Sequence, residues 1–294
     1  MTPALSPARV TTPLVAYLRD LLLLSKPRLS GLVMITCAGG MWLAPGNIEP
    51  ARAALAVLAT AAVVGAANAL NCYLERDLDA RMRRTRDRPL PAGRLDPLVA
   101  LGLGVLVSAF AIPVLALAAG RLPAFLALLA LATYVLGYTP LKRRTPLALF
   151  VGAVPGAIPP ALGWATVTGR LEPGGLSLFA LLFAWQIPHF LAVSLYLEDD
   201  YARAGLPVFA IAHGRTGTRR AILATTGLLL AVSLFPVAAG LVEAAYAAVA
   251  GMLGAGLMVV ALRGVGRANW ARRFFLATLA YLTALFVALV LFRR

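Results

Sequence analysis

The chain alternates along its whole length between long apolar runs and short clusters of charged residues. Several of these runs approach the roughly 20 residues that a helix needs to cross about 30 Å of hydrocarbon. We predict nine transmembrane helices, at residues 29–44, 53–74, 97–119, 123–138, 147–168, 176–197, 221–241, 244–262 and 274–292. No linker divides the runs, so the pattern predicts a single membrane-embedded domain over residues 1–294. Residues 1–25 are predicted to be an N-terminal tail with an interfacial helix at residues 13–24.

The composition supports a membrane protein. Hydrophobic residues make up 61% of the chain and charged residues only 13%, against roughly 25% charged residues in soluble domains. The predicted fold class is therefore all-α, a polytopic membrane helix bundle, with the lipid bilayer as its surroundings. The net charge of +15 does not indicate a nucleic-acid partner, because the basic residues lie between apolar runs and form no continuous basic domain.

The basic residues also predict the orientation. If the N-terminus is cytoplasmic, 22 of the 27 Lys and Arg residues fall on the cytoplasmic side, which is the positive-inside pattern. The C-terminus is then outside. Most acidic residues lie on the same side, although acidic residues contribute little to that rule. The carboxylates at the cytoplasmic helix ends therefore need a reason other than topology.

Three oxygen-bearing side chains end the second predicted span at a spacing of four residues. On a continuous helix, Asn71, Glu75 and Asp79 would form one stripe with steps of about 6 Å. Carboxylate and amide oxygens suit Mg²⁺, which is typically held by one or two carboxylates together with substrate phosphates. The stripe predicts a Mg²⁺ site.

A short internal sequence similarity indicates a second acidic cluster near the first. The segment YLERDLDAR (73–81) ends the second span, and YLEDDYAR (196–203) ends the sixth. Both spans run from outside to inside, so their acidic ends would face one compartment. Helices of a bundle can build a shared site at such a mouth.

Basic side chains surround the first acidic cluster. Five arginines lie between residues 81 and 88, and the next cytoplasmic loop carries Tyr138 and Lys142. Guanidinium and ammonium groups bind phosphate oxygens, so a diphosphate bridged by a cation would use both signs of charge. The alternative is that these charges only solvate helix ends and orient the protein.

Two features lie inside the apolar spans. The segment GAVPGAIPPALGWATVTG (152–169) has three prolines, which indicate either a cavity or a packing kink. The segment WQIPHF (185–190) contains His189, the only histidine within a predicted span. An ionisable residue there is usually functional, although a hydrogen-bonded interior role is the alternative.

Together these motifs resemble the UbiA-type intramembrane prenyltransferase superfamily, which makes quinones and chlorophylls. The resemblance rests on N-x-x-x-E-x-x-x-D followed by R-M-R-R-T-R-D-R-P-L-P-A-G, then Y-T-P-L-K-R-R-T-P, P-G-A-I-P-P-A-L-G-W, W-Q-I-P-H-F and D-Y-A-R-A-G-L-P-V. The last two motifs are most similar to the haem-farnesylating branch of the superfamily. The resemblance covers about residues 26–214.

The resemblance implies a nine-helix bundle around a central cavity that opens to the cytoplasmic side. It implies farnesyl diphosphate and haem B as substrates, with farnesyl transfer to a haem vinyl group and addition of water. Mg²⁺ is the implied cofactor, and haem A synthase is a partner that would receive the product. Without a targeting presequence in the N-terminal region, the expected location is a bacterial plasma membrane.

The resemblance also implies roles for individual residues. The implied catalytic residues are Asn71, Glu75, Asp79 and Asp200, and the implied metal ligands are Asn71, Glu75, Asp79, Asp199 and Asp200. The implied diphosphate contacts are Arg84, Arg88, Tyr138 and Lys142, and His189 is the candidate haem contact.

Two alternatives stay open at this point. A prenyltransferase with an aromatic quinone-precursor acceptor would share the first acidic motif. A secondary transporter would place discontinuous helices and charged residues near the midplane of the membrane. In this chain nearly all the charge lies at one face.

Overall fold

The structure is a computed structural model that describes residues 13–263 and 269–294. The predicted N-terminal tail up to residue 12 lies outside these residues. So do Arg9 and Arg267, two of the basic residues counted on the cytoplasmic side. Within the described residues the chain is helical, and its only extended pairing is one antiparallel bridge between Val242 and Arg293.

Twelve helices follow one another in the described ranges, numbered here from the N-terminus. They are α1 (Leu14–Leu24), α2 (Pro27–Leu43), α3 (Pro50–Asp79), α4 (Pro97–Ala119), α5 (Arg121–Leu141), α6 (Ala148–Thr168), α7 (Pro173–Tyr196), α8 (Glu198–Arg203), α9 (Phe209–Val232), α10 (Phe235–Ala238), α11 (Ala245–Arg263) and α12 (Trp270–Leu291). Helix α5 includes a π-helical turn at Thr133–Tyr138.

Among the residues that the structure describes, eight helices are long and apolar enough to cross a membrane. A ninth crossing exists if α1 and α2, which meet at an angle of 50°, are counted as one bent span. The predicted all-α, multi-pass membrane fold is therefore confirmed. The first predicted span, residues 29–44, differs from the others because α2 has only 17 residues and reaches the required length only together with α1.

Two helix boundaries differ from the prediction in ways that matter for the site. Helix α3 continues to Asp79, beyond the predicted end at residue 74, so the polar stripe lies on regular helix. Helix α9 begins at Phe209, twelve residues before the predicted start, and bends at Gly214, where φ is +66°. Both differences have one cause: a helix can extend beyond the apolar core of the bilayer, and hydropathy detects only the apolar part.

Close backbone packing in the centre of the bundle depends on two glycines. A Cβ atom at Gly40 of α2 would lie 2.0 Å from the backbone oxygen of Pro160, and one at Gly163 of α6 would lie 2.0 Å from the backbone oxygen of Cys37. Small residues permit this approach between membrane helices, whose association depends on van der Waals contact rather than on the hydrophobic effect. Helix α6 is thus held against α2 on one side and packs on α7 on the other.

Candidate active site

The predicted polar stripe lies on the last three turns of α3. Asn71, Glu75 and Asp79 are each no more than 4% exposed, and all three line one cavity of about 200 Å³. The other charged residues of its wall are Lys26, Arg84, Arg88 and Lys142. The structure therefore places predicted metal ligands and predicted diphosphate contacts around one space.

Each oxygen-bearing side chain of the stripe contacts a cation. Lys26 Nζ donates a hydrogen bond to Asn71 Oδ1 at 2.8 Å. Lys142 Nζ lies 2.5 Å from Glu75 Oε1, and Arg88 Nη1 donates to Asp79 Oδ2 at 2.8 Å. A buried charge is costly unless it is paired, so these contacts stabilise the stripe. They also place three cations within reach of any anion that enters the cavity.

The loop between α3 and α4 holds Arg84 and Arg88 in place. The Thr85 hydroxyl donates to the backbone oxygen of Asp79 at 2.8 Å, which folds the loop back onto the end of α3. Arg94 donates to both oxygens of Asp20 in α1, from Nε at 2.8 Å and from Nη2 at 3.1 Å. Because Asp20 is only 6% exposed, α1 covers the loop and fixes it through a bidentate ion pair.

The π-helical turn of α5 supplies the facing wall. Tyr134 and Tyr138 stack with ring centroids 5.7 Å apart, and Lys142 Nζ lies 5.4 Å from the centroid of the Tyr138 ring. The Thr139 hydroxyl accepts a hydrogen bond from Asn71 Nδ2 at 3.1 Å. Asn71 is therefore oriented with its amide oxygen towards Lys26, and the turn resembles other π-bulges in its association with a polar site.

Asp200 joins the second acidic cluster to the first. Its Oδ1 accepts the backbone N–H of Arg83 at 3.3 Å and a hydrogen bond from the Arg203 side chain. Burial raises the pKa of this carboxyl, but the hydrogen bonds from Arg203 and Arg83 outweigh burial, so the pKa lies below its ordinary value. The ends of α3 and α7 thus meet at one end of the bundle.

The chain breaks between α7 and α8, and this break separates the acidic residues of the second cluster. Asp200 is buried, whereas Asp199 is exposed, and Glu198 pairs with Arg215 at 3.1 Å. None of the three lines the polar cavity as the described residues form it. The structure therefore brings Asp200 against the loop after α3 but leaves Asp199 at the surface.

His189 faces the last helix rather than either cavity wall in the described part of the chain. Its Nδ1 lies 2.8 Å from the Thr278 hydroxyl oxygen of α12. Its ring centroid lies 4.6 Å from that of Trp185 and 4.7 Å from that of Phe275. The next residue, Phe190, lines the cavity instead.

A second, mostly apolar chamber of about 390 Å³ adjoins the polar cavity. Arg84, Tyr134, Tyr138 and Phe190 line both spaces. Two prolines of α6, Pro155 and Pro159, are part of the chamber wall, so of the two alternatives left open by the sequence these prolines border a cavity. A molecule with a charged head and an apolar tail would fit across the junction.

The polar cavity has ligands for a Mg²⁺ ion whose coordination is completed by the phosphates of a substrate. No group of three or more His, Cys, Asp or Glu side chains suitable for a metal occurs among the described residues. Glu75 Oε1 is nevertheless buried, and its contact with Lys142 does not form a well-directed hydrogen bond. Two carboxylates and an amide oxygen suit a hard cation that is also bound by phosphates.

Sequence reasoning missed three residues of this site. Lys26 lies between α1 and α2 with φ +49°, a left-handed conformation that is uncommon for lysine. Its contact with Asn71 depends on the bend between these helices, which hydropathy does not reveal. Tyr134 lies on the π-helical turn and Thr139 directly follows it, and the only signal in the sequence was their closeness to Tyr138.

The fold and the two joined cavities define a membrane-embedded enzyme for an amphiphilic substrate with an anionic head. The chain belongs to the UbiA prenyltransferase family, whose model matches residues 33–292. It is therefore a prenyltransferase and not the secondary transporter considered from the sequence.

Several bacterial relatives are similar over nearly the whole chain. The protoheme IX farnesyltransferase of Anaeromyxobacter dehalogenans is 66% identical over 295 residues, covering 100% of both chains. That of Myxococcus xanthus is 48% identical, covering 93% of this chain and 94% of its own.

Solved structures share the fold at low sequence identity. A digeranylgeranylglyceryl phosphate synthase has a TM-score of 0.79 at 13% identity, covering 94% of this chain and 98% of its own. A UbiA homolog from Archaeoglobus fulgidus bound to GPP and Mg²⁺ has a TM-score of 0.66 at 14% identity, covering 92% of this chain and 99% of its own.

Proposed function

We propose that this chain transfers a farnesyl group from farnesyl diphosphate to a vinyl group of haem B, with addition of water, and releases haem O and diphosphate. The relatives that bear the name protoheme IX farnesyltransferase support this acceptor. The observation that carries the proposal is the junction between a charged cavity and an apolar chamber, which share four wall residues.

The two spaces divide the substrate between them. The diphosphate would enter the polar cavity and contact Arg84, Arg88, Tyr138 and Lys142, while the farnesyl tail would lie in the apolar chamber. Arginine and lysine differ in how they bind phosphate, as a bidentate fork and as a point charge. Together they hold the leaving group at the junction, with its reactive carbon towards the chamber.

Asn71, Glu75 and Asp79 would hold Mg²⁺ beside the diphosphate. This metal supplies positive charge against the negative charge that develops on the leaving group. The Archaeoglobus homolog bound to GPP and Mg²⁺ supports the use of this metal with a prenyl diphosphate. Asp200 is proposed as a further metal ligand and catalytic residue because it contacts the loop after α3. Asp199, the other implied metal ligand of this cluster, is its exposed neighbour.

The chain itself promotes the first step by electrostatic stabilisation. When the diphosphate binds with Mg²⁺, Arg88 and Lys142 can leave Asp79 and Glu75 and contact the phosphate oxygens, so they are in place before the bond between the farnesyl carbon and the diphosphate oxygen breaks. Donors and charges that are already in place stabilise this transition state without reorganisation of solvent. The apolar wall of the chamber keeps bulk water from the farnesyl cation until the new carbon–carbon bond forms.

The haem contact and the cellular setting belong to the same proposal. His189 is retained as the candidate haem contact, and an altered optical spectrum of haem bound to His189→Ala would support it. The N-terminus would be cytoplasmic and the C-terminus outside in a bacterial plasma membrane, as the basic residues predict. Haem A synthase is the proposed recipient of the product.

A direct assay tests the proposal. Purified protein in detergent with Mg²⁺ and radiolabelled farnesyl diphosphate is given either haem B or 4-hydroxybenzoate. We expect label in the haem fraction only, with a product mass of haem B plus farnesol. Label transferred to 4-hydroxybenzoate alone would overturn the proposed acceptor and favour the quinone-precursor alternative.

A further inference from the structure

Two side-chain amides lie in the wall of the apolar chamber, Asn68 on α3 and Gln186 on α7. Gln186 is 5% exposed and lines the chamber one turn before Phe190. Phe190 lines both cavities, and four helical residues correspond to a rise of about 6 Å. Gln186 is therefore close to the junction at which the transferred carbon would react.

The surroundings of this amide determine which of its ends faces the space. Gln186 Nε2 donates to the backbone oxygens of Ala153 at 2.9 Å and Leu182 at 3.2 Å. Both neighbours are acceptors, so the NH₂ group must point towards them and the orientation of the amide is fixed. No donor within the described ranges forms a hydrogen bond to Oε1.

Gly156 leaves room for the amide oxygen. A Cβ atom at this position of α6 would lie 2.1 Å from Gln186 Oε1, so any other residue would push the amide away. Tyr134 and Tyr138 line the same chamber and can add hydroxyl partners. A buried water needs about two to four polar partners, which Gln186 Oε1 and hydroxyl groups of the chamber wall would supply.

We propose that Gln186 binds the water molecule that completes the transfer to haem. This inference rests on the proposed function, in which the haem vinyl group gains both a farnesyl group and a hydroxyl group. The water bound at Oε1 would be the one molecule of water kept near the junction, while the rest of the chamber stays apolar.

The step balances as follows. The π electrons of the vinyl group form a bond to the farnesyl carbon while diphosphate leaves with the electron pair of the broken C–O bond. This leaves a cation on the vinyl carbon attached to the porphyrin. The bound water attacks that carbon through its oxygen, and its proton passes to the released diphosphate. An amide oxygen is too weak a base to keep the proton, so Gln186 only holds the water.

Without a held water, the same cation loses a proton from the adjacent carbon of the new chain. The product is then an alkene, lighter than haem O by one water molecule. The ratio of the two products therefore depends on the position of water. A merely structural role of Gln186 would change the overall rate but not this ratio.

The experiment compares product masses from wild type, Gln186→Met and Gly156→Ala. Methionine is similar in length but has no strong acceptor, and the alanine displaces the amide oxygen without removing it. We expect the fraction of dehydrated product to rise about tenfold in both variants, as when one hydrogen bond to a positioned water is lost. Thr60→Val is the matched control, because the Thr60 hydroxyl lines the chamber but already donates to the Ala56 oxygen at 2.8 Å.

Fully hydrated product from both variants would overturn the inference. Loss of all product in both, with binding of farnesyl diphosphate retained, would also overturn it, because the proposed water acts after the first bond has formed. Failure of the wild type to modify haem would instead overturn the proposed function. If Gln186→Met does not fold, Gly156→Ala decides alone, since the three atoms nearest to its new methyl group all belong to the Gln186 amide and not to the backbone.

Discussion

The three side chains of the α3 stripe are held by three cations. Lys26, Lys142 and Arg88 contact Asn71, Glu75 and Asp79, respectively. Removal of one partner from such a pair leaves a buried charge without compensation. Substitutions in the stripe therefore need an exposed control on the same helix, so that loss of function is separated from loss of folding.

We expect Glu75→Gln and Asp79→Asn each to reduce farnesyl transfer by about 100- to 1,000-fold, the size seen when one preorganised electrostatic contact of an active site is removed. Asp77→Asn is the control, because Asp77 lies between them in the sequence but its side chain is 76% exposed. Radiolabel transfer to haem B by purified protein measures the effect. Near wild-type transfer by either stripe variant would contradict the proposed role of the stripe.

The Asp200 carboxyl predicts a pH dependence of stability. Its pKa is lowered in the folded protein from the ordinary 3.8, with the Arg203 and Arg83 hydrogen bonds outweighing burial. Such a group stabilises the fold above its ordinary pKa and loses that contribution as pH falls through the lower folded value. We expect Asp200→Asn to have a lower thermal midpoint at neutral pH and a smaller further decrease below about pH 4.

Thermal unfolding in detergent across that range measures the difference between Asp200→Asn and wild type. Asp199→Asn is the control, because Asp199 is exposed. Parallel curves for wild type and Asp200→Asn would show that Asp200 contributes nothing to the acid dependence.

The helices differ in how much of them the sequence predicts. Helix α4, Pro97–Ala119, was predicted to the residue, because its apolar run has charged or flexible neighbours at both ends. Helix α9 was predicted to start too late, because residues 213–220 within it are mostly polar or charged. The ends of α1 and α7 lie within one residue of the predicted bounds, but the 50° angle between α1 and α2 and the separate helix α8 after Tyr196 were not predicted, because both depend on packing between distant parts of the chain.

The site follows the same division. The stripe of Asn71, Glu75 and Asp79 could be predicted because it depends only on helical periodicity. The contact of Lys26 with Asn71 and the exposure of Asp199 depend on the bend and on the break. The position of His189 against Thr278 depends on which helix packs on α7, and the hydropathy pattern does not predict which helices are neighbours.

Helix α1 lies outside the cavity, but we expect it to affect the binding of farnesyl diphosphate. The Asp20–Arg94 ion pair fixes the loop that carries Arg84 and Arg88. We expect Asp20→Asn to raise the KM for farnesyl diphosphate about fivefold, as for one partly screened charge-assisted hydrogen bond, with little change in kcat. Arg94→Lys, which keeps the charge but loses the fork, should have a smaller effect of the same kind.

Steady-state kinetics at saturating haem measure this effect. Asp87→Asn is the matched control, because its side chain is in the same loop and 87% exposed. If Asp20→Asn instead decreases kcat about fivefold at saturating haem and leaves KM unchanged, α1 does not act through diphosphate binding.

The molecule as a whole places its charged cavity at one end of an apolar bundle. Helices α3, α5 and α7 contribute residues to both the cavity and the chamber, so head and tail of the substrate are bound by the same elements. At the opposite end of the bundle a separate space of about 330 Å³ contains Arg293, Arg294 and Glu172. A diphosphate could bind at either of these two basic regions, and we assign it to the cavity at the end of α3.

An experimental structure with Mg²⁺ and an unreactive farnesyl thiodiphosphate tests that assignment most directly. We expect the two phosphorus atoms to lie between the end of α3 and Lys142, with Lys142 moved from Glu75 to a phosphate oxygen and the farnesyl tail in the chamber beside Gln186. A diphosphate bound beside Arg293 and Arg294, or a tail outside the chamber, would contradict the account.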